Sequence, residues 1–124
     1  MPNDDRIHLH VYGISNCDTV RAARKWLDER GVRHTFHDFR SEGVPEAQLR
    51  GWLSGDHGPL LLNRRSATWR KLSAEQKTAA GTDPVPLFVE SPTLIKRPLL
   101  DTGKARYTGF SSASYEKIFG AHNL

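Results

Sequence analysis

From residue 7 onward the chain alternates: Ile7, Leu9 and Val11 fall on one side, and His8, His10 and Tyr12 on the other. A period of two is the mark of a strand with one buried face. Gly13 ends it, and Ile14-Ser15-Asn16 form a short loop. The period then lengthens. Val20, Ala23 and Leu27 share one face of a helix predicted over Asp18 to Arg30, and Gly31 stands where a helix C-terminal cap is wanted. Val32 to Phe39 alternates again and reads as a second strand. A strand, tight loop, helix and strand in this order favour parallel pairing through a right-handed crossover. The loop after the first strand then lies at that strand's C-terminal end, the usual place for chemistry in open α/β sheets.

The middle of the chain reads as helical and irregular. Pro45 opens a helix through Trp52 and Leu53, and Ser54-Gly55-Asp56-His57-Gly58-Pro59 is a turn cluster. Leu60 to Leu62 suggest a short helix breaking into a loop at Asn63-Arg64-Arg65-Ser66. Ser73 and Gln76 have capping-box spacing for a helix through Ala80, and Asp83-Pro84 opens another ending near Glu90. Strand character returns at Leu99-Leu100-Asp101. Thr102-Gly103-Lys104 makes a turn, Ala105 to Thr108 a last strand, and Ser111 or Ser112 caps a final helix bearing Tyr115, Ile118 and Phe119. The expected architecture is α/β: a mixed four-stranded sheet with a helical insertion at about 45–90, within a single domain spanning 1–124.

The composition suits a folded domain, with 37% hydrophobic and 26% charged residues in 124. No apolar run is long enough to cross a membrane, and the N-terminus lacks the basic and apolar segments of a secretory signal. The cytoplasm is the expected compartment. The net charge of +4 is a mild excess. A solvated surface explains it, with attraction of small anions or an acidic partner as the alternative. No block of Lys and Arg alternates with aromatics, so a nucleic-acid partner is not expected.

One cysteine, Cys17, excludes an internal disulfide and a zinc site built on several thiolates. Counted blindly, a lone cysteine is a small core residue. Its position argues otherwise, because it sits at the mouth of the first helix. Unpaired N–H groups and the helix dipole favour a thiolate there, and the thiolate is the reactive form. Asp18 opposes this through its charge unless its side chain caps the helix instead. Val20 stands where a Cys-x-x-Cys pair would have its second thiol, so a mixed disulfide on Cys17 must be resolved by an outside thiol. His8, His10, His34 and His37 read as scattered strand histidines, and no metal site is expected. No phosphate loop is present, and Ser114 and the other serines have no identifiable base. Trp26, Trp52 and Trp69 read as packing residues.

The segment Tyr12-Gly13-Ile14-Ser15-Asn16-Cys17-Asp18-Thr19 resembles the active-site opening of the ArsC/Spx family, arsenate-reductase-like proteins on a thioredoxin fold. Leu61-Leu62-Asn63-Arg64-Arg65, Thr68-Trp69-Arg70-Lys71-Leu72, Leu94-Ile95-Lys96-Arg97-Pro98-Leu99-Leu100 and Gly109-Phe110-Ser111 extend the likeness over nearly the whole chain. Its YffB branch is the most similar. The resemblance implies an ArsC-like, thioredoxin-like sheet and makes Cys17 the nucleophile, Arg65 and Arg97 the anion holders, and Pro98 a cis proline beside the thiol. X–Pro bonds are mostly trans, so the cis geometry rests on the resemblance alone. Asn16 either orients the thiol or makes the turn. A third family arginine falls near Gly109; Lys104 and Arg106 are the nearest cations. Taken alone, Arg97 would pass for a surface arginine and Arg64 for a solvated one.

Three functions follow from the resemblance. One is a glutathione-dependent thiol reductase, with no tightly bound cofactor and with glutathione as co-substrate. Another is arsenate reduction with glutathione and glutaredoxin, which the missing arginine weakens. The last is a non-catalytic Spx-like regulator that binds RNA polymerase.

Overall fold

The computed structural model describes residues 9–119. Ile7, His8 and the N-terminal stretch before them lie outside the described residues. The chain divides into two compact units. One comprises residues 1–38 and 97–124, and the other residues 39–96.

The first unit is built on the sheet. Strand β1 (His10–Gly13) leads through a turn into helix α1 (Asp18–Glu29), and strand β2 (Thr35–Asp38) follows. Strands β3 (Leu99–Asp101) and β4 (Arg106–Thr108) and helix α7 (Ser112–Phe119) complete it. The sheet order is β2-β1-β3-β4, with β1 and β2 parallel and the other neighbours antiparallel. This mixed arrangement is the expected thioredoxin-like sheet.

Local chemistry explains each boundary. Helix α1 stops in a paired C-terminal cap. The N–H of Gly31 donates to Asp28 O at 3.1 Å and that of Val32 to Leu27 O at 2.9 Å, and Gly31 has φ of +70°. At the other end Gly13 lets helix and strand approach, since a Cβ there would meet Cγ2 of Val20 at 2.7 Å. Ser111 caps α7 by accepting from the N–H of Ser114 at 3.0 Å. Ser114 therefore has a structural role.

The core of this unit lies between the sheet and helices α1 and α7. It gathers Leu9, Val11, Ala23, Trp26, Leu27, Val32, Leu100, Tyr115 and Phe119. Trp26 and Phe110 both meet the Tyr115 ring edge-on, at 5.6 and 4.7 Å between centroids.

Two of the histidines are not scattered. The parallel register sets Tyr12 opposite His37 and His10 opposite Thr35, so His10 and His37 are diagonal neighbours on one face. Nδ1 of His10 lies 2.8 Å from Nε2 of His37, whose ring stacks on Tyr12 at 4.5 Å. His34 precedes β2, with its Nδ1 3.1 Å from Val32 O. Among the described residues no group of three or more potential ligands is placed to hold a metal.

The second unit is helical. It holds α2 (Phe39–Glu42), α3 (Glu46–Leu53), α4 (Ala67–Lys71), α5 (Ala74–Thr82) and α6 (Val85–Glu90), with single 3₁₀ turns at Gly58–Leu60 and Pro92–Leu94. The helical segment begins at Phe39, earlier than Pro45, because no Gly or Pro separates β2 from α2. Ser73 and Gln76 form the expected capping box: the N–H of Gln76 donates to Ser73 Oγ at 3.1 Å, and that of Ser73 to Gln76 Oε1 at 2.9 Å. Helix α6 packs on both α3 and α5. Trp52, Leu49, Leu61, Val85, Phe88, Leu94 and Ile95 are buried. No described helix is long and apolar enough to cross a membrane.

Candidate active site

Cys17 is the N-cap residue of α1, in extended conformation with φ −90° and ψ 127°. Its own N–H donates to Ile14 O at 3.0 Å, and its carbonyl accepts the first helical bond, from Arg21, at 3.0 Å. Those two bonds fix the turn Ser15-Asn16 and hold the sulfur at the open end of the helix. The N–H of Ser15 reaches Asp38 Oδ2 at 3.4 Å, which ties the turn to the end of β2.

Burial pushes the Cys17 thiol up, because a partly desolvated thiolate costs free energy. Four attractions outweigh it and hold the pKa below the ordinary thiol value. In order, they are the N–H of Val20, a hydrogen bond from Arg97, the N–H of Thr19 and the Arg97 charge. The backbone share is the unsatisfied N-terminus of α1. Sulfur does not meet the geometry of a side-chain capping hydrogen bond. Its stabilisation is that of a charge facing a ring of donors. Asp18 does not cap the helix either. Its exposed carboxylate pairs with Arg21, one turn on, which neutralises the negative charge nearest the sulfur.

Arg97 and Pro98 belong to the same unit as Cys17. The Arg97–Pro98 peptide bond is cis, and Pro98 O accepts the N–H of Gly109 at 2.9 Å. Gly109 has φ of +79°, in the left-handed region. The place of the third family arginine is thus held by a residue whose backbone conformation favours glycine. Arg106 is committed elsewhere, its Nε 3.5 Å from Asp101 Oδ2.

Asn16 is exposed at the corner of the turn. Val20 is fully buried against Gly13, so the position of a resolving thiol is filled by core. Arg65 lies in the helical unit, exposed, in a turn where its N–H donates to Asn63 Oδ1 at 3.1 Å. Sequence reasoning missed what Trp69 does. It is half-buried, and its ring faces Arg64 and Lys77, each 5.5 Å from the centroid. The flanking cations in the sequence were the available signal.

The site therefore offers one thiol with a lowered pKa, one guanidinium acting on the sulfur, and no second thiol. Such a set can attack an electrophilic sulfur or oxyanion once, and then needs an external thiol for release.

Known proteins share the sequence and fold of this chain. A Haemophilus influenzae protein of uncharacterised function is 41% identical over 120 residues, covering 90% of this chain and 98% of that protein. The global transcriptional regulator Spx of Enterococcus faecalis is 27% identical, with 83% of this chain and 80% of Spx covered. A solved YffB structure superposes with a TM-score of 0.81 at 35% identity, over 94% of this chain and 99% of its own. An arsenate reductase (ArsC) related protein from Brucella melitensis gives a TM-score of 0.70 at 35% identity, over 90% and 94%. The family model described as "ArsC family" matches residues 12–118, which include Cys17, Arg65, Arg97 and Pro98, and the chain belongs to that family.

Proposed function

We propose that this protein is a glutathione-dependent thiol reductase working through Cys17 alone. The observation that carries the reading is a thiol at a helix N-terminus whose pKa is lowered by backbone N–H groups and Arg97, with valine at position 20. In the first step the Cys17 thiolate attacks the glutathione sulfur of a mixed disulfide. A Cys17–glutathione disulfide forms, the old S–S bond breaks, and the substrate leaves as a thiolate that takes a proton from water. In the second step an external glutathione thiolate attacks that same glutathione sulfur. Oxidised glutathione leaves and the Cys17 thiolate returns. One mixed disulfide is reduced to a thiol at the expense of one external glutathione thiol, and the glutathione that was already on the substrate leaves within oxidised glutathione, so electrons balance without a cofactor.

Arg97 is the first candidate for a glutathione carboxylate, as a charge-assisted donor next to the reacting sulfur. Arg65 is the second, on the family pattern alone. Arsenate reduction is disfavoured by Gly109 in place of a third guanidinium. A regulatory role of the kind named for the Spx relatives would need a protein partner and no glutathione.

Mass spectrometry after exposure to oxidised glutathione tests the reading. One adduct per chain is expected on the wild type and none on Cys17→Ser. Binding of reduced glutathione should weaken in Arg97→Ala and in Arg65→Ala. An unmodified Cys17, with no glutathione binding to the wild type, would overturn the proposal in favour of a binding module. Arsenate turnover with glutathione and glutaredoxin that vanished in Cys17→Ser would overturn it in favour of an arsenate reductase.

A further inference from the structure

The cations of this chain are unevenly placed. Of eighteen Lys and Arg, five lie between positions 64 and 77: Arg64, Arg65, Arg70, Lys71 and Lys77. One carboxylate, Glu75, lies among them. The other thirteen cations are matched by the other thirteen carboxylates, so the entire net charge of +4 resides in this stretch. Elsewhere four arginines have carboxylate partners. Arg21 pairs with Asp18, Arg30 with Glu116, Arg50 with Glu46 and Asp83, and Arg106 with Asp101. Among the described residues, none of the five is within ion-pair distance of a carboxylate.

Two of them meet on one side chain, and two more lie on the same short helix. Arg64, ahead of α4, and Lys77, on α5, both lie over the Trp69 ring, and Arg70 and Lys71 occupy the last turn of α4. Arg64, Arg65, Arg70 and Lys71 are exposed. Each of these two cations is attracted to the indole face by a cation–π contact.

From this clustering of unpaired cations around Trp69 we propose that the α4–α5 face of the helical unit is a docking surface for an acidic segment of a partner protein. Carboxylates fit better than a nucleic acid. Guanidinium forks pair with carboxylates through two parallel bonds. Base stacking requires an open aromatic face, and the Trp69 ring is already engaged by Arg64 and Lys77. Attraction of this kind raises the encounter rate and selects among partners more than it raises affinity. This surface needs neither Cys17 nor glutathione, so it stands or falls apart from the thiol chemistry.

The test uses fluorescence anisotropy with a labelled oligoglutamate peptide at low ionic strength. The probe should bind the wild type and Cys17→Ser equally, and binding should fade as salt is added. The double variant Arg70→Glu with Lys71→Glu should weaken binding about tenfold or more, because four units of charge change within the patch. Lys25→Glu with Lys117→Glu changes the net charge equally on exposed helix positions of the other unit, and should leave binding within about twofold. Thermal melts of both variants should match the wild type, since all four side chains are exposed; Arg70→Gln with Lys71→Gln repeats the test without added carboxylates. Equal weakening by both double variants would overturn the proposal, because net charge alone would then explain binding. No binding to the wild type would overturn it, as would tighter binding of a single-stranded oligonucleotide of equal charge, which would assign the face to nucleic acid.

Discussion

The two units of this protein handle polar chemistry in opposite ways. In the sheet unit nearly every charged group near the site has a local assignment: Asp18 to Arg21, Arg106 to Asp101, Arg97 to the sulfur. The field is focused on one atom, Cys17 Sγ. In the helical unit five cations are left without carboxylates and spread over a surface. Focused charge changes the ionisation of a single group, because distances are short and solvent is partly excluded. Dispersed surface charge is screened within about 10 Å at ordinary ionic strength and acts only on what approaches. The difference teaches that one chain can separate reactivity from recognition by how it pairs its charges.

The contrast is sharpest in reactivity. Cys17→Ser should abolish alkylation by iodoacetamide altogether. Arg97→Gln should keep it but move its pH profile upward, since the thiolate loses both a hydrogen bond and a positive charge. The sign carries to stability. The folded state depresses the Cys17 pKa, so its contribution is present above the unfolded-state value and is lost as pH falls through the folded-state value. Cys17→Ser should therefore flatten the pH dependence of the melting temperature across that window. An Arg97→Gln profile lying on the wild-type curve would show that the helix N-terminus acts alone.

Glycine substitutions separate the units next. Gly13→Ala should destabilise by about 1–3 kcal/mol, because the new methyl overlaps Val20 in a packed core. Gly81→Ala, in α5 with open space around it, should instead stabilise by up to about 1 kcal/mol. Urea melts of both variants check the pair, and a destabilised Gly81→Ala would mean that the helical unit is packed as tightly there as the sheet unit is at Gly13. The smallest effect belongs to Tyr115→Phe. Among the described residues the buried hydroxyl has no hydrogen-bond partner, and burial pushes its pKa up. Its removal should change stability by less than about 1 kcal/mol, toward greater stability, since only desolvation is lost. A clear loss in the melt would reveal a partner for that hydroxyl.

Much of the sheet unit was legible because its punctuation is local. Alternation marked β1, and Gly13 and Gly31 marked the two ends of the crossover helix. The capping box at Ser73 was equally legible in the helical unit, since both partners lie within one turn. Legibility failed where the deciding contact spans the chain. Phe39 continues the alternation of β2, yet it opens α2 because its side chain is buried there. The His10–His37 contact depends on a parallel register that no single strand encodes. Arg97 at Cys17 was readable only through family resemblance, because a guanidinium far along the sequence has no local signature. Trp69 was read as packing because its neighbours in sequence were counted as solvent-facing one at a time.

The cap of helix α1 has a last consequence. Its first amides face a sulfur that serves them only while it carries charge. A mixed disulfide removes that charge, and with it the attraction between the sulfur and the Thr19 and Val20 N–H groups. Helix fraying and oxidation state thus become one variable. Hydrogen exchange at those two amides would record, in the backbone, whether the thiol is loaded or free.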